Sequence, residues 1–356
     1  MSRAFSEDHR TLTRRRLAAL SIAGASHPDA ASAVRSLLAV QAQDFAGALW
    51  SLGLRTAGAT AASVEAEHER GAFVRSWPQR GTLHFVAAED LGWMLSLTGE
   101  RMTRAAAGRH RQLDLDEPQF DRARDAARDR LGGGEHASRR ELLAEFEAAG
   151  VSIAGQRGVH LLGRLSYDGV LVQSGRDRYT LLDRWGAEPR RLDPPDALRE
   201  YAARYFTGHG PATVEDFAWW SSLTLGQARE GLRAARDQLD ELEVAGSTYY
   251  LRPGLTVAAA SVDLLPGFDE YLLGYRDRTA PLAGEPLEAV VPGLNGMFLS
   301  TVVVGGEVRA TWSRRRTRSG WAVSLSELAP LSETTRERVR RGVARYARFL
   351  GQPVEL

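Results

Sequence analysis

Apolar residues recur every three to four positions near the start of the chain. This rhythm predicts helices over 10–24 and 30–41, then over Ala48–Thr56 and Ser63–Gly71. Gly24, Pro28 and Asp29 separate the first two, and Ser63 is the expected N-cap of the fourth. The period then shortens to two. Phe73–Trp77 and Thr82–Val86 alternate around Pro78-Gln79-Arg80-Gly81, which predicts a hairpin with a basic tip. Helices followed by a two-stranded ribbon is the order of a winged helix.

The same order returns twice. A helix over 88–111 and one from Pro118 lead to Gly132-Gly133-Gly134, a linker. Ser138-Arg139-Arg140-Glu141 then reads as a capping box, a second helix falls at Val159–Leu165, and strands at 169–172 and 179–182 flank Ser174–Asp177. Thr213 caps a helix through Trp219 and Trp220, and Thr224-Leu225-Gly226-Gln227 boxes the next, to Ala235. Strands at 242–244 and 248–251 follow. Beyond Pro253 the pattern is mostly β: Val257–Ala260, Met297–Val304, Glu307–Trp312 around the two-residue turn Gly305-Gly306, and Trp321–Leu325. An amphipathic helix over 332–350 closes the chain. The predicted fold is α+β, with three tandem winged-helix units followed by a small C-terminal β-barrel and a terminal helix. Its segments are 1–112, 113–192, 193–254 and 255–356.

Composition narrows the chemistry. With 43% hydrophobic and 26% charged residues the chain reads as a soluble protein of two to four domains. No apolar run is long enough to span a membrane. The start, with Arg3, Glu7, Asp8, His9 and Arg10, lacks the apolar core of a signal peptide, so a cytoplasmic location and a monomer are expected. There is no cysteine, hence no disulfide, thiolate nucleophile or Cys-based metal site. All 46 basic residues are arginine, which excludes a lysine Schiff base and a P-loop lysine. The eight histidines show no metal-ligand spacing, so neither metal nor cofactor is expected. A net charge of +1 does not advertise nucleic acid, but arginines cluster at 14–16, 101–111, 314–318 and 336–348, where they could track phosphates or simply be solvated.

Gln41-Ala42-Gln43 is the sharpest local feature. On a continuous helix these two glutamines point apart. They converge only if the helix ends near Gln41. Converging, they offer uncharged donors and acceptors able to hold a water. The plainer reading of such a pair is a helix C-terminus satisfied by side-chain amides.

Segments 37–56, 75–95, 264–278 and 298–312 resemble the AlkZ/YcaQ family of bacterial DNA glycosylases, in the same order along the chain. That family is built from tandem winged-helix units and a β-barrel, and removes alkylated purines from duplex DNA. Its catalytic motif, Gln, an aliphatic residue, then Gln, falls on Gln41 and Gln43 here. The YcaQ branch carries aspartate at the second position, so this chain looks more like the AlkZ branch associated with antibiotic self-resistance. The resemblance implies a monofunctional enzyme acting on N7-alkylated, possibly bulky or crosslinked, purines. Arg80, Thr82 and His84 on the first hairpin are the candidate DNA contacts, with Arg314, Arg315 and Arg316 after the glycine turn. Asp269, Glu270 and Arg276–Arg278 read instead as a buried polar cluster bracing the barrel. Two other readings stand beside it: a winged-helix regulator without chemistry, and a protein that sequesters a drug.

Overall fold

The computed structural model describes residues 8–23 and 27–356. Gly24, Arg3 and Glu7 therefore lie outside the described residues. Two compact units form. One combines the chain up to Val64 with Leu198–Leu356; the other is Glu65–Ala197. These units cut across the four segments drawn from the sequence: the helices of 1–112 fall mainly in the first unit and its hairpin in the second.

The first unit is organised around the helix Phe45–Arg55, in which every residue but Ala46 is buried. Trp50 sits at its centre, edge-on to Tyr346 at 4.9 Å and tilted against Phe349 at 5.0 Å. Both partners lie on the terminal helix Glu333–Leu350, whose apolar face carries Val339, Val343, Tyr346 and Phe349. The two helices touch at Gly53, where a Cβ would stand 2.3 Å from the Phe349 ring. The indole N–H of Trp50 donates to the Leu264 carbonyl at 2.9 Å, tying this helix pair to the adjoining sheet. That sheet has five strands in the order Val354–Glu355, Trp321–Glu327, Glu307–Arg316, Ser300–Val304, Val262–Leu265. The order is linear, a half-barrel sheet consistent with the small C-terminal barrel expected. The Gly305-Gly306 turn has φ of 59° and 95°, the left-handed pair that a tight two-residue hairpin needs.

Local signals held where the bonding is local. Ser138/Glu141, Thr213/Asp216 and Thr224/Gln227 all form reciprocal capping boxes. Ser63 does not cap: Thr60 does, and Ser63 returns the bond to the Thr60 N–H. The strand expected at Val257–Ala260 forms instead at Val262–Leu265. A helix at Pro194–His209, outside the sequence reading, supplies the aromatic floor of the third segment. There Tyr205 lies 5.0 Å from Trp220 and stacks on His209 at 4.9 Å.

The second unit packs Ala88–Gln112, Glu117–Leu131, Arg139–Ala148 and Arg157–Tyr167 over a sheet. Within the unit its strands run Thr82–Val86, Val74–Gln79, Leu171–Gln173, Arg178–Leu181, Ala137–Ser138. Phe120, Leu142, Phe146, Leu161 and Leu165 are buried in its core. Helix–helix–hairpin order thus occurs three times along the chain.

Candidate active site

The helix Ala30–Leu37 stops well short of Gln41. Asp29 caps its start by accepting the Ser32 N–H at 2.7 Å. Its end is Leu38, at φ +65° and ψ −47°, a conformation that costs a branched residue on the order of 1 kcal/mol or more. The burial of Leu38, complete in this structure, offsets that strain. Extended chain follows at Ala39–Gln41, where a helix through 41 was expected. The break required for the glutamines to approach is present, and it falls three residues earlier than the apolar run suggests.

Beyond the break Ala39 to Ala42 are buried, and the chain reaches the surface only at Gln43. Gln41 is 5% exposed, while Gln43 and Asp44 are exposed. The Oε1 of Gln41 accepts the backbone N–H of Gln43 at 3.2 Å. Contact between the two residues thus runs from one carboxamide to the other's backbone, folding the chain into a tight turn ahead of the Phe45–Arg55 helix. Asp44 occupies the N-cap position of that helix but makes no capping bond. It lines a recess with Gly47, Trp50, Pro266, Ser300, Trp312 and Arg314.

Two buried carboxylates stand behind the turn, from the Phe268-Asp269-Glu270-Tyr271 cluster. Asp269 meets Arg55 through two bonds of 2.9 Å and also accepts the Ser51 hydroxyl at 2.7 Å. Glu270 reaches the motif itself: its Oε1 accepts the Gln41 N–H at 3.0 Å. Its Oε2 accepts the Trp220 indole N–H at 2.8 Å and lies 3.3 Å from His209 Nε2. Of the expected buried cluster, Asp269 and Glu270 are buried while Arg276 and Asp277 are exposed, and the bracing by Glu270 is directed at Gln41, a link the sequence did not reveal. Neither His209 nor Trp220 was singled out as a site residue.

The basic candidates divide. Arg314, Arg315 and Arg316 continue the strand, so pleating sends them to alternate faces. Arg314 and Arg316 share the face of Trp321, their guanidinium carbons 4.9 and 5.1 Å from its ring. Arg315 lies on the opposite face, exposed. Burial pulls the Arg314 pKa down, against the pull of Asp44, which favours its charge. In the second unit Arg80 and Gly81 form the hairpin tip, both with positive φ. His84 is fully buried beneath it, its Nδ1 2.8 Å from the Thr82 carbonyl and its Nε2 3.1 Å from the Arg80 guanidinium. Since arginine only donates, the imidazole hydrogen is assigned to Nδ1 and Nε2 accepts. His84 thus braces Arg80, and Arg80 and Thr82 form the more exposed part of the tip.

Comparison with known proteins decides the family. Residues 34–349 match the model of the DNA glycosylase AlkZ-like family. The chain belongs to that family. It is a DNA glycosylase, a hydrolase of N-glycosyl bonds, and DNA is its substrate. An interstrand DNA cross-link repair glycosylase of Streptomyces sahachiroi is 26% identical over 317 residues, covering 81% of this chain and 82% of the relative. The solved structure of the S. sahachiroi DNA glycosylase AlkZ matches 99% of this glycosylase and all of that chain, with a TM-score of 0.80 and 25% identity. Among the described residues of the glycosylase no group of three or more His, Asp or Glu could hold a metal ion. No described helix is long and apolar enough to cross a membrane.

Proposed function

We propose that this glycosylase hydrolyses the N-glycosidic bond of N7-alkylated purines in duplex DNA, with Gln41 and Gln43 as the catalytic residues. The observation that carries the reading is the turn at 41–43. Gln41 is held between Glu270 and the Gln43 N–H, while Gln43 reaches the surface.

The chemistry suits neutral side chains. Alkylation at N7 places a positive charge on the base before the enzyme meets it. The C1′–N9 bond then breaks with its electron pair passing to the base, which leaves neutral, and no strong general acid is needed. A water forms the new bond to C1′ and yields its proton to solvent, leaving an abasic site. What remains for the protein is to orient that water against an oxocarbenium-like sugar. Positioning of this kind supplies several kcal/mol. With no lysine, only the terminal amine could form an imine, so the enzyme stops at the abasic product. An uncharged motif restricts it to lesions that are already cationic.

The cross-link repair named for the Streptomyces relative extends the proposal to bulky and crosslinked purines, in self-protection against a DNA-alkylating natural product. The three helix–helix–hairpin segments then act as winged helices presenting DNA to the turn as a monomer. Arg80 and Thr82 contact the backbone from the first wing with His84 behind them, and Arg314, Arg315 and Arg316 contact it from the C-terminal sheet.

The test compares duplexes carrying N7-methylguanine, a neutral oxidised purine, or an N7-linked crosslink. Free base should be released from the first, the third should be unhooked with its base left on the opposite strand, the second should be untouched, and the strand should break only after hot alkali. Release of the neutral lesion, or strand cleavage without alkali, would contradict the reading.

A further inference from the structure

We propose that Glu270 is a positioning residue for base excision, holding the backbone at Gln41 and so setting where the Gln41-Ala42-Gln43 turn presents its carboxamides. The inference rests on the catalytic assignment of those glutamines.

Glu270 is 0% exposed, and its carboxyl faces hydrogen-bond donors on both sides. Oε1 takes the Gln41 peptide N–H, and Oε2 takes the Trp220 indole N–H. Neither donor can also accept, so both carboxyl oxygens act as acceptors here. A buried polar group is tolerated only when it is satisfied in this way. His209 completes the set. Its Nδ1 has no hydrogen-bond partner, and this assigns the imidazole hydrogen to Nε2, 3.3 Å from Oε2.

The support behind this carboxylate is rigid. Trp220 is fully buried, and the His209 ring stacks on Tyr205 with an interplanar angle of 14°. On the other side Asp269 caps the turn that carries Glu270, accepting the Tyr271 N–H at 2.9 Å while gripping Arg55. Glu270 therefore connects two stiff bodies to the one extended stretch whose geometry the reaction needs. Gln41 passes the constraint on, because its own side chain accepts the Gln43 N–H. A shift of the backbone at 41 moves both carboxamides.

Glu270→Gln preserves shape but turns one oxygen into a donor facing a donor, and Trp220→Phe removes one support without touching Gln41. Two measurements are made on each full-length variant. By hydrogen exchange, the Gln41 amide should open about tenfold faster in Glu270→Gln and less so in Trp220→Phe, while the amides of the Glu333–Leu350 helix keep their protection. By single-turnover base release from an N7-methylguanine duplex, Glu270→Gln should be slower by about a hundredfold, with duplex affinity unchanged. An unaltered Gln41 amide in Glu270→Gln overturns the proposal. So does a loss of rate matched by loss of duplex affinity and of protection throughout the unit, which is the signature of a merely structural residue. If the wild type releases no base at all, the glycosidic reading fails instead, and the exchange measurement still decides whether Glu270 holds Gln41.

Discussion

Gln41 and Asp269 show how differently two polar residues of one site are used. Gln41 is nearly buried yet its carboxamide takes part in a surface turn; Asp269 is committed to the interior. Asp269 and Arg55 form a bidentate pair with side-chain exposures of 3% and 0%. Two more guanidinium donors go to the Leu20 and Ser51 carbonyls at 2.8 Å. Removing one charge of such a pair strands the other in the core. Asp269→Asn should therefore cost about 3–5 kcal/mol in urea unfolding, with Arg55→Met/Asp269→Leu recovering much of it. A loss below about 1 kcal/mol for the single variant would show that the pair is better solvated than its burial implies. At this scale the sequence told a partial story. The Gln-Ala-Gln pattern and the Asp269-Glu270 cluster were both legible as separate features. Their junction was not, because Gln41 and Glu270 lie 229 positions apart and are brought together by topology, which leaves no local spacing to read.

Among the elements, those closed by neighbours in sequence were readable and those closed by distant partners were not. The capping boxes span only four residues each and appeared where expected. The run Val34–Val40 is apolar enough to suit a helix or a buried strand, and only the tertiary burial of Leu38 chooses the break. Val262–Leu265 was missed for a similar reason: Asp263 interrupts its apolar pattern, and the Ala258–Ala260 run beside it looks more like a strand. Asp263 also makes this edge strand sensitive to pH. It is 8% exposed, and burial raises its pKa to about 6, against the pull of Ser261 and Arg345. The folded state holds this proton more tightly than the unfolded chain, whose value is near 3.8. Its contribution is thus most favourable at low pH and is lost as pH rises from about 4 through about 6, on the order of 3 kcal/mol. Asp263→Asn should flatten that slope and stabilise the protein at pH 7.5 relative to wild type, read from urea midpoints at pH 4.5 and 7.5. An unchanged difference between the two midpoints would contradict it.

For the whole molecule, the α+β class and the repeated helix–helix–hairpin order were visible from periodicity alone, since each short unit carries its own turns and caps. The division into two compact units was not. It depends on which faces pack, and the helix Phe45–Arg55, buried on nearly every side, packs with the distant C-terminal helix at Gly53 and Phe349. That packing joins the start of the chain to its end and sets the Gln41–Gln43 turn against the cluster at 269–270.

The account stands or falls on whether that turn performs the excision. The most direct measurement is the single-turnover rate of free N7-methylguanine release from duplex DNA, with enzyme in excess, for wild type, Gln41→Ala and Gln43→Ala. Both variants should bind the duplex as wild type does and release base at least about a hundredfold more slowly. Wild-type rates in both folded variants would place the chemistry elsewhere in the protein.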